Sequence, residues 1–180
     1  MYKSENQHMK TPVKVTSINT LHQFLGLKRP SNPLISVFNF DDVKLEPETL
    51  LSAVITEFYV IALKKDCAGG KCRYGQQYYD FDEGIMYFIA PHQVLQFDDI
   101  LLDKVRGFVL VVHPDFLHGY RLATDIKEYG YFSYTANEAL HLSEKEEKTI
   151  FEIIANVEQE IDINMDSLHK ICLSLTLIFC

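Results

Sequence analysis

From Pro33 to His113 the chain alternates aromatic and β-branched runs with short turn-forming stretches. Leu34–Phe40, Val54–Leu63, Tyr74–Phe81, Ile85–Ala90, Val94–Phe97 and Val105–Val112 each predict a strand, because such side chains pack well on a pleated surface. Closely spaced strands joined by turns imply an antiparallel sandwich or barrel. A parallel pair needs a crossover of about a dozen residues, and none is visible before residue 114. Cys67-Ala68-Gly69-Gly70-Lys71-Cys72 supplies two glycines able to take positive φ, so a chain reversal is predicted there, and another at Phe81-Asp82-Glu83-Gly84. Ile85–Ala90 and Phe108–Val112 are apolar at both alternating positions. Both of their faces therefore need cover, from a second sheet or from the helices that follow.

Beyond His113 the period changes. Pro114 and Asp115 open a short turn at Phe116–Leu117, a helical turn is predicted at Ala123–Tyr129, and Tyr129, Tyr131, Phe132 and Tyr134 form an aromatic run. Ser143-Glu144-Lys145-Glu146 is a capping box that starts a long helix. Ile150, Ile153, Ile154, Val157 and Ile161 recur every three or four residues along it, so one stripe must be buried. Asp162–Asp166 breaks the pattern, and a second helix is predicted from about Ser167, with Leu168, Ile171, Cys172, Leu175 and Ile178 on one side. The sequence ends at Phe179-Cys180 without the polar residues that usually close a domain, which reads as a cut in a longer polypeptide. The resulting division is an N-terminal arm (1–32), in which only Ile18–Leu27 has helical spacing, then a β domain (33–113), connecting turns (114–142) and a helical segment (143–180).

A chain of 180 residues is long enough for one real core, and 47% apolar content excludes disorder for most of it. The net charge of −8 repels a phosphate backbone. Lys64, Lys65, Lys71 and Arg73 form the densest positive group, but they flank the predicted turn and read as solvated loop charge. Four cysteines are too few for a disulfide scaffold in a chain of this size, so a reducing cytoplasm is the expected setting. Cys67 and Cys72 would face each other across the Gly69-Gly70 turn, either as two reduced thiols or as a redox pair. Neither a secretory signal nor a membrane span is evident.

Catalytic signatures are missing: there is no phosphate-binding glycine loop, no nucleophile elbow and no His-Glu-x-x-His run. The remaining clue is an excess of aromatic residues on strands whose alternate side chains face inward. Most are expected to be core. Tyr59, Tyr78, Tyr87 and His92 are the candidates for lining a small-molecule pocket with polar tips on an aromatic wall.

Cys67 to Glu146 resembles the N-terminal effector domain of AraC-type transcription regulators, in particular a cupin-like bacterial group. The matching words are Tyr74-Gly75-Gln76-Gln77-Tyr78-Tyr79-Asp80-Phe81-Asp82-Glu83-Gly84, Ala90-Pro91-His92-Gln93-Val94, Gly107-Phe108, His113-Pro114-Asp115-Phe116-Leu117, Phe132-Ser133-Tyr134 and the run from Glu138 to Glu146. Similar chains often carry glycine at the turn position held here by His92. The resemblance covers about residues 33–162 and implies a small cupin-like barrel followed by helices that pair protomers. DNA would be bound only through a further C-terminal domain absent from this chain.

On that reading a small effector occupies the barrel, and Ile150, Ile154, Val157 and Ile161 form the seam of a homodimer. Replacing Ile154 and Val157 by Asp should then give monomers. Signals would pass to the helices through residues such as Phe116, Tyr131 or Phe132. No cofactor and no metal are expected, because the His-x-His pair of metal-binding cupins is missing. The alternative is a metal-dependent cupin enzyme, an isomerase or oxygenase, with His92 and His113 as ligands.

Overall fold

Strand β4 (Tyr59–Lys65) is the middle of the molecule, and its composition explains why. Tyr59, Ile61 and Leu63 alternate with Val60 and Ala62, all buried, so neither side of the strand tolerates water. It lies between β7 (Ile85–Ile89) and β9 (Arg106–Val112), and the five-stranded sheet runs β10-β7-β4-β9-β2, with β2 (Ile35–Asn39) and the two-residue β10 (Leu140–His141) at its edges. Every pairing in it is antiparallel. Register places Ala62 opposite both Tyr87 and Val109. The computed structural model describes residues 12–44, 53–65, 71–74, 77–80, 84–96, 106–132, 140–163 and 168–178.

A smaller sheet, β1-β3-β8, lies apart from the first: β1 (Val13–Val15) pairs in parallel with β3 (Ala53–Thr56), and β8 (Val94–Gln96) pairs with β3 antiparallel. The expected single strand Val54–Leu63 is therefore two strands in two sheets, divided at Glu57-Phe58. A third unit is the β5–β6 ribbon (Lys71–Tyr74 with Gln77–Asp80), so the expected strand Tyr74–Phe81 is likewise split. Among the described residues the five-stranded sheet is open and does not close into a barrel. The coarse expectation of a mainly β chain with C-terminal helices stands; the purely antiparallel arrangement does not, because β1 joins in parallel.

Both faces of the central sheet are covered, one by a sheet and one by helices. One face carries Val60, Ala62, Ile89, Val109, Val111 and Phe38 against Val15, Val54 and the short helix α1 (Ile18–Phe24). Residues read as an arm thus enter the core, with Val15, Ile18, Leu21 and Leu25 all buried. Ser17 caps α1 by accepting a hydrogen bond from the Thr20 amide at 3.1 Å. The opposite face carries Ile61, Leu63, Met86, Phe88, Phe108 and Leu110 against α2 (Leu122–Glu128), α3 (Glu144–Ile163) and α4 (Leu168–Ile178).

The capping box forms as its sequence predicts: the Ser143 amide donates to Glu146 Oε2 at 2.8 Å, and Ser143 Oγ accepts from the Glu146 amide at 3.4 Å. Helix α3 packs against α4, and its stripe is internal. Val157 is fully buried and Ile154 is 4% exposed, both in the core shared with the sheet and α4, while Ile150 and Ile161 pack partly against that core. Ile154 and Val157 are thus enclosed within the chain and not free for the expected seam between protomers, whereas Ile150 and Ile161 keep part of their surface. An amphipathic period reports that a stripe is buried but not against what, and here the sheet and α4 of the same chain supply the cover. No helix among the described residues is long and apolar enough to cross a membrane.

Candidate functional site

The two faces of the central sheet differ in chemistry. Four of the five buried polar or charged residues described, His22, Ser36, Thr56 and Lys64, come from the elements that bound the layer between the sheets. At one end, His22 reaches in from α1 and stands edge-on to Phe38 at 5.5 Å. Its Nδ1 lies 2.5 Å from the Lys28 carbonyl and its Nε2 2.9 Å from Ser36 Oγ. A carbonyl only accepts, so Nδ1 carries the proton, and in the neutral ring Nε2 accepts from the Ser36 hydroxyl. Thr56 Oγ1 is likewise satisfied, donating to the Phe58 carbonyl at 3.0 Å.

Toward the other end lies Lys64, the residue that sequence reading assigned to solvated loop charge. It is 6% exposed, and its Nζ sits 5.2 Å from the Tyr87 ring centroid and 5.6 Å from that of Phe40. The register explains the placement. Lys64 follows Val60 and Ala62 on the inter-sheet side of β4, opposite Gly107 of β9. Gly107 holds φ +123, and a Cβ there would stand 1.9 Å from the Leu63 carbonyl oxygen, so only glycine fits beside this turn of the ladder. Lys64 was legible in principle, since alternation from Val60 carries the buried face of β4 through to it.

Of the predicted pocket residues, Tyr87 lies half-buried on this side, packed against the inter-sheet core. Tyr59 is on the helix side: its ring meets Phe132 edge-on at 5.0 Å, and burial pushes its phenol above the ordinary range. Tyr59 and Tyr87 therefore point to opposite faces and cannot line one pocket. Tyr78 stands opposite Arg73 in the β5–β6 ribbon, and its side chain lies outside those described. His92 is exposed in the turn between β7 and β8 with φ +69, the left-handed region that favours glycine, and its amide donates to the Thr56 carbonyl at 2.7 Å. The proposed Cys67–Cys72 juxtaposition also lies outside the described residues, as does Cys67 itself.

His92 and His113 both lie within electrostatic reach of Glu57. That carboxyl is held below its ordinary value first by a hydrogen bond from Lys14, 2.7 Å away, and further by the charges of Lys14 and the two histidines. His113 Nδ1 accepts from the Asp115 amide at 3.2 Å. Among the described residues no group of three or more His, Cys, Asp or Glu side chains could hold a metal ion.

The helix side is instead a contact zone. Tyr131 stacks on Phe88 at 5.0 Å, Phe132 meets the same ring edge-on at 5.6 Å, and Phe108 meets Phe151 of α3 at 5.4 Å. Gln93 fastens the two regions, accepting from the Ala90 amide at 2.8 Å and donating to the Phe132 carbonyl at 3.3 Å. Lys65, next to Lys64 but facing the other way, donates to Glu147 Oε1 of α3 at 2.5 Å. Gly84 lets that carboxylate approach, since a Cβ there would lie 2.8 Å from Glu147 Oε2. No protein-family model matches the chain, and no curated protein matches it.

Proposed function

We propose that the chain is a sensing domain in which a small molecule enters the layer between the sheets and alters the helices on the far side. The observation that carries this reading is the double attachment of β4. Consecutive residues Lys64 and Lys65 reach, respectively, the polar and aromatic inter-sheet layer and the buried Glu147 of α3. A ligand that shifts the end of this strand changes a contact that α3 must make or lose, which is the differential interaction any conformational signal requires. The Tyr131, Phe132 and Phe151 ring contacts offer parallel routes through the same sheet.

This agrees with the resemblance to AraC-type effector domains, in which a cupin-like β unit precedes helices and DNA is bound by a separate domain. A homodimer belongs to that reading, and its seam would then involve residues other than the internal Ile154 and Val157. The test is a thermal-shift screen of sugars, carboxylates, amines and nucleosides, with light scattering before and after addition. A ligand-specific rise in Tm accompanied by changed self-association or helix exchange supports sensing. Uniform silence from a well-folded sample contradicts it. Stoichiometric metal in the purified protein, lost on His92→Ala, would favour the enzyme alternative instead.

A further inference from the structure

We infer that β1 and α1 are exchanged between two copies of this chain: residues 29–33 open as a hinge, and the unit before them closes the inter-sheet layer of the partner. The inference rests on the homodimer of the sensing reading and says what holds that dimer together.

Residues 13–28 form a piece that is closed on itself. Ser17 caps α1 through the Thr20 amide, the Leu27 amide donates to the His22 carbonyl at 2.8 Å, and His22 Nδ1 donates to the Lys28 carbonyl at 2.5 Å. The groups that hold this unit to the rest of the fold lie beyond the hinge. Val15, Ile18, Leu21 and Leu25 are buried in the layer that contains Ala62 and Val111, and β1 pairs with β3. Lys14 meets Glu57 at 2.7 Å, the Lys44 amide donates to the Leu25 carbonyl at 2.8 Å, and the Ser36 hydroxyl donates to His22 Nε2 at 2.9 Å. All of these contacts can be remade unchanged with a second copy, which is what makes exchange a low-cost route to a dimer.

The sequence of the hinge favours the open form. Residues 29–33 lie outside any helix or strand, with Arg29, Ser31 and Pro33 exposed. Pro30 and Pro33 have fixed φ, and each disfavours helical geometry in the residue before it, Arg29 and Asn32, so the segment prefers to run extended. In the closed chain it bends over residues 31–34 instead, where Asn32 Oδ1 accepts from the Leu34 amide at 2.8 Å. A short, stiff segment made to bend is the condition under which exchange competes with closure.

The remaining surface points the same way. A net charge of −8 repels a second copy, and among the described residues the large exposed apolar side chains are Val13, Val94, Tyr131 and Leu140, on four different elements. Exchange needs no free apolar face, because the surface it buries is the one already buried in the closed chain. Each inter-sheet layer is then completed by the partner's His22 against Ser36, so a change in that layer changes the link between protomers.

Disulfide trapping tests the exchange. Lys14 and Ile55 stand opposite each other in the β1–β3 register, so Lys14→Cys with Ile55→Cys, in a chain whose Cys67, Cys72 and Cys180 are replaced by serine, links β1 to whichever β3 it pairs with. Monomer and dimer fractions are separated by size, oxidised and run on a non-reducing denaturing gel. The dimer fraction should run as two chains covalently joined, and the monomer fraction as one. Pro30→Ala and Pro33→Ala should each shift the equilibrium roughly two- to fivefold toward monomer, the worth of one proline's restriction of the chain. A dimer whose chains separate on the gel with their disulfides formed internally, or one indifferent to both prolines, overturns the exchange. So does a chain that stays monomeric up to millimolar concentration. In each of these cases a ligand found in the thermal-shift screen leaves sensing itself standing.

Discussion

The two cores on either side of the central sheet are built from different materials. On the helix side, Ile61, Leu63, Leu110, Val157, Leu175 and their neighbours form an apolar layer, and the one buried charge described there, Glu147, sits at its edge in an ion pair. On the inter-sheet side, His22, Ser36 and Lys64 are buried beside Phe38, Phe40 and Tyr87. Polar groups lower stability unless each is satisfied, and on the inter-sheet side His22, Ser36 and Thr56 each find a partner within the chain. The stripe on α3 belongs to the apolar side.

The sharpest way to break this division is to charge the helix side. Val157→Asp should destabilise by at least about 4 kcal/mol and yield an unfolded or aggregated chain, because a carboxylate would enter a core with no partner for it. Urea titration with light scattering decides the matter: a folded monomer from this variant would show that the stripe is a seam between copies. Leu175→Ala should cost about 3 kcal/mol by leaving a cavity between α4 and the sheet, read as a lower urea midpoint at unchanged slope. Ser143→Ala should cost about 1 kcal/mol through the lost cap of α3.

Smaller effects come from titration. The two hydrogen bonds from Ser143 hold the Glu146 carboxyl below its ordinary 4.5. A depressed carboxyl contributes stability that is fully present above its unfolded value and is lost as pH falls through the folded one. The acid-side decline in Tm below about pH 4.5 should therefore be shallower in Glu146→Gln than in the parent. Burial pushes the Cys172 thiol up to about 11, so at neutral pH it should resist alkylation in the folded chain and react once α4 is unfolded, as peptide mass spectrometry would show.

Much of the fold was legible from local pattern. The ends of β2, β7, β8 and β9 and the capping box all follow from residues close together in sequence. What escaped depends on distant partners. Val54–Leu63 is continuously β-forming and gives no turn signal at Glu57-Phe58, yet Phe58 is fully buried where the chain changes sheet. Within the arm only Ile18–Leu27 carries a local signal, whereas Val15 finds its cover where β1 pairs in parallel with β3, which only the folded topology supplies. The site was less legible still. Whether Tyr87 faces the same layer as Lys64 is decided by cross-strand register, which sets Ala62 against Tyr87, while alternation along β4 itself puts Tyr59 on the other side. Lys64 and Lys65 looked alike as neighbours in a basic run, and strand alternation sends them to opposite layers.

Hydrogen exchange read by mass spectrometry, with and without a saturating ligand from the thermal-shift screen, tests the central claim most directly. Exchange should slow in β4 and β7 and change in the first turns of α3, and Glu147→Gln should keep the strand effect while losing the helix effect. Strands indifferent to the ligand, or a helix response that persists without the Glu147 carboxylate, would contradict an inter-sheet sensor coupled through the end of β4.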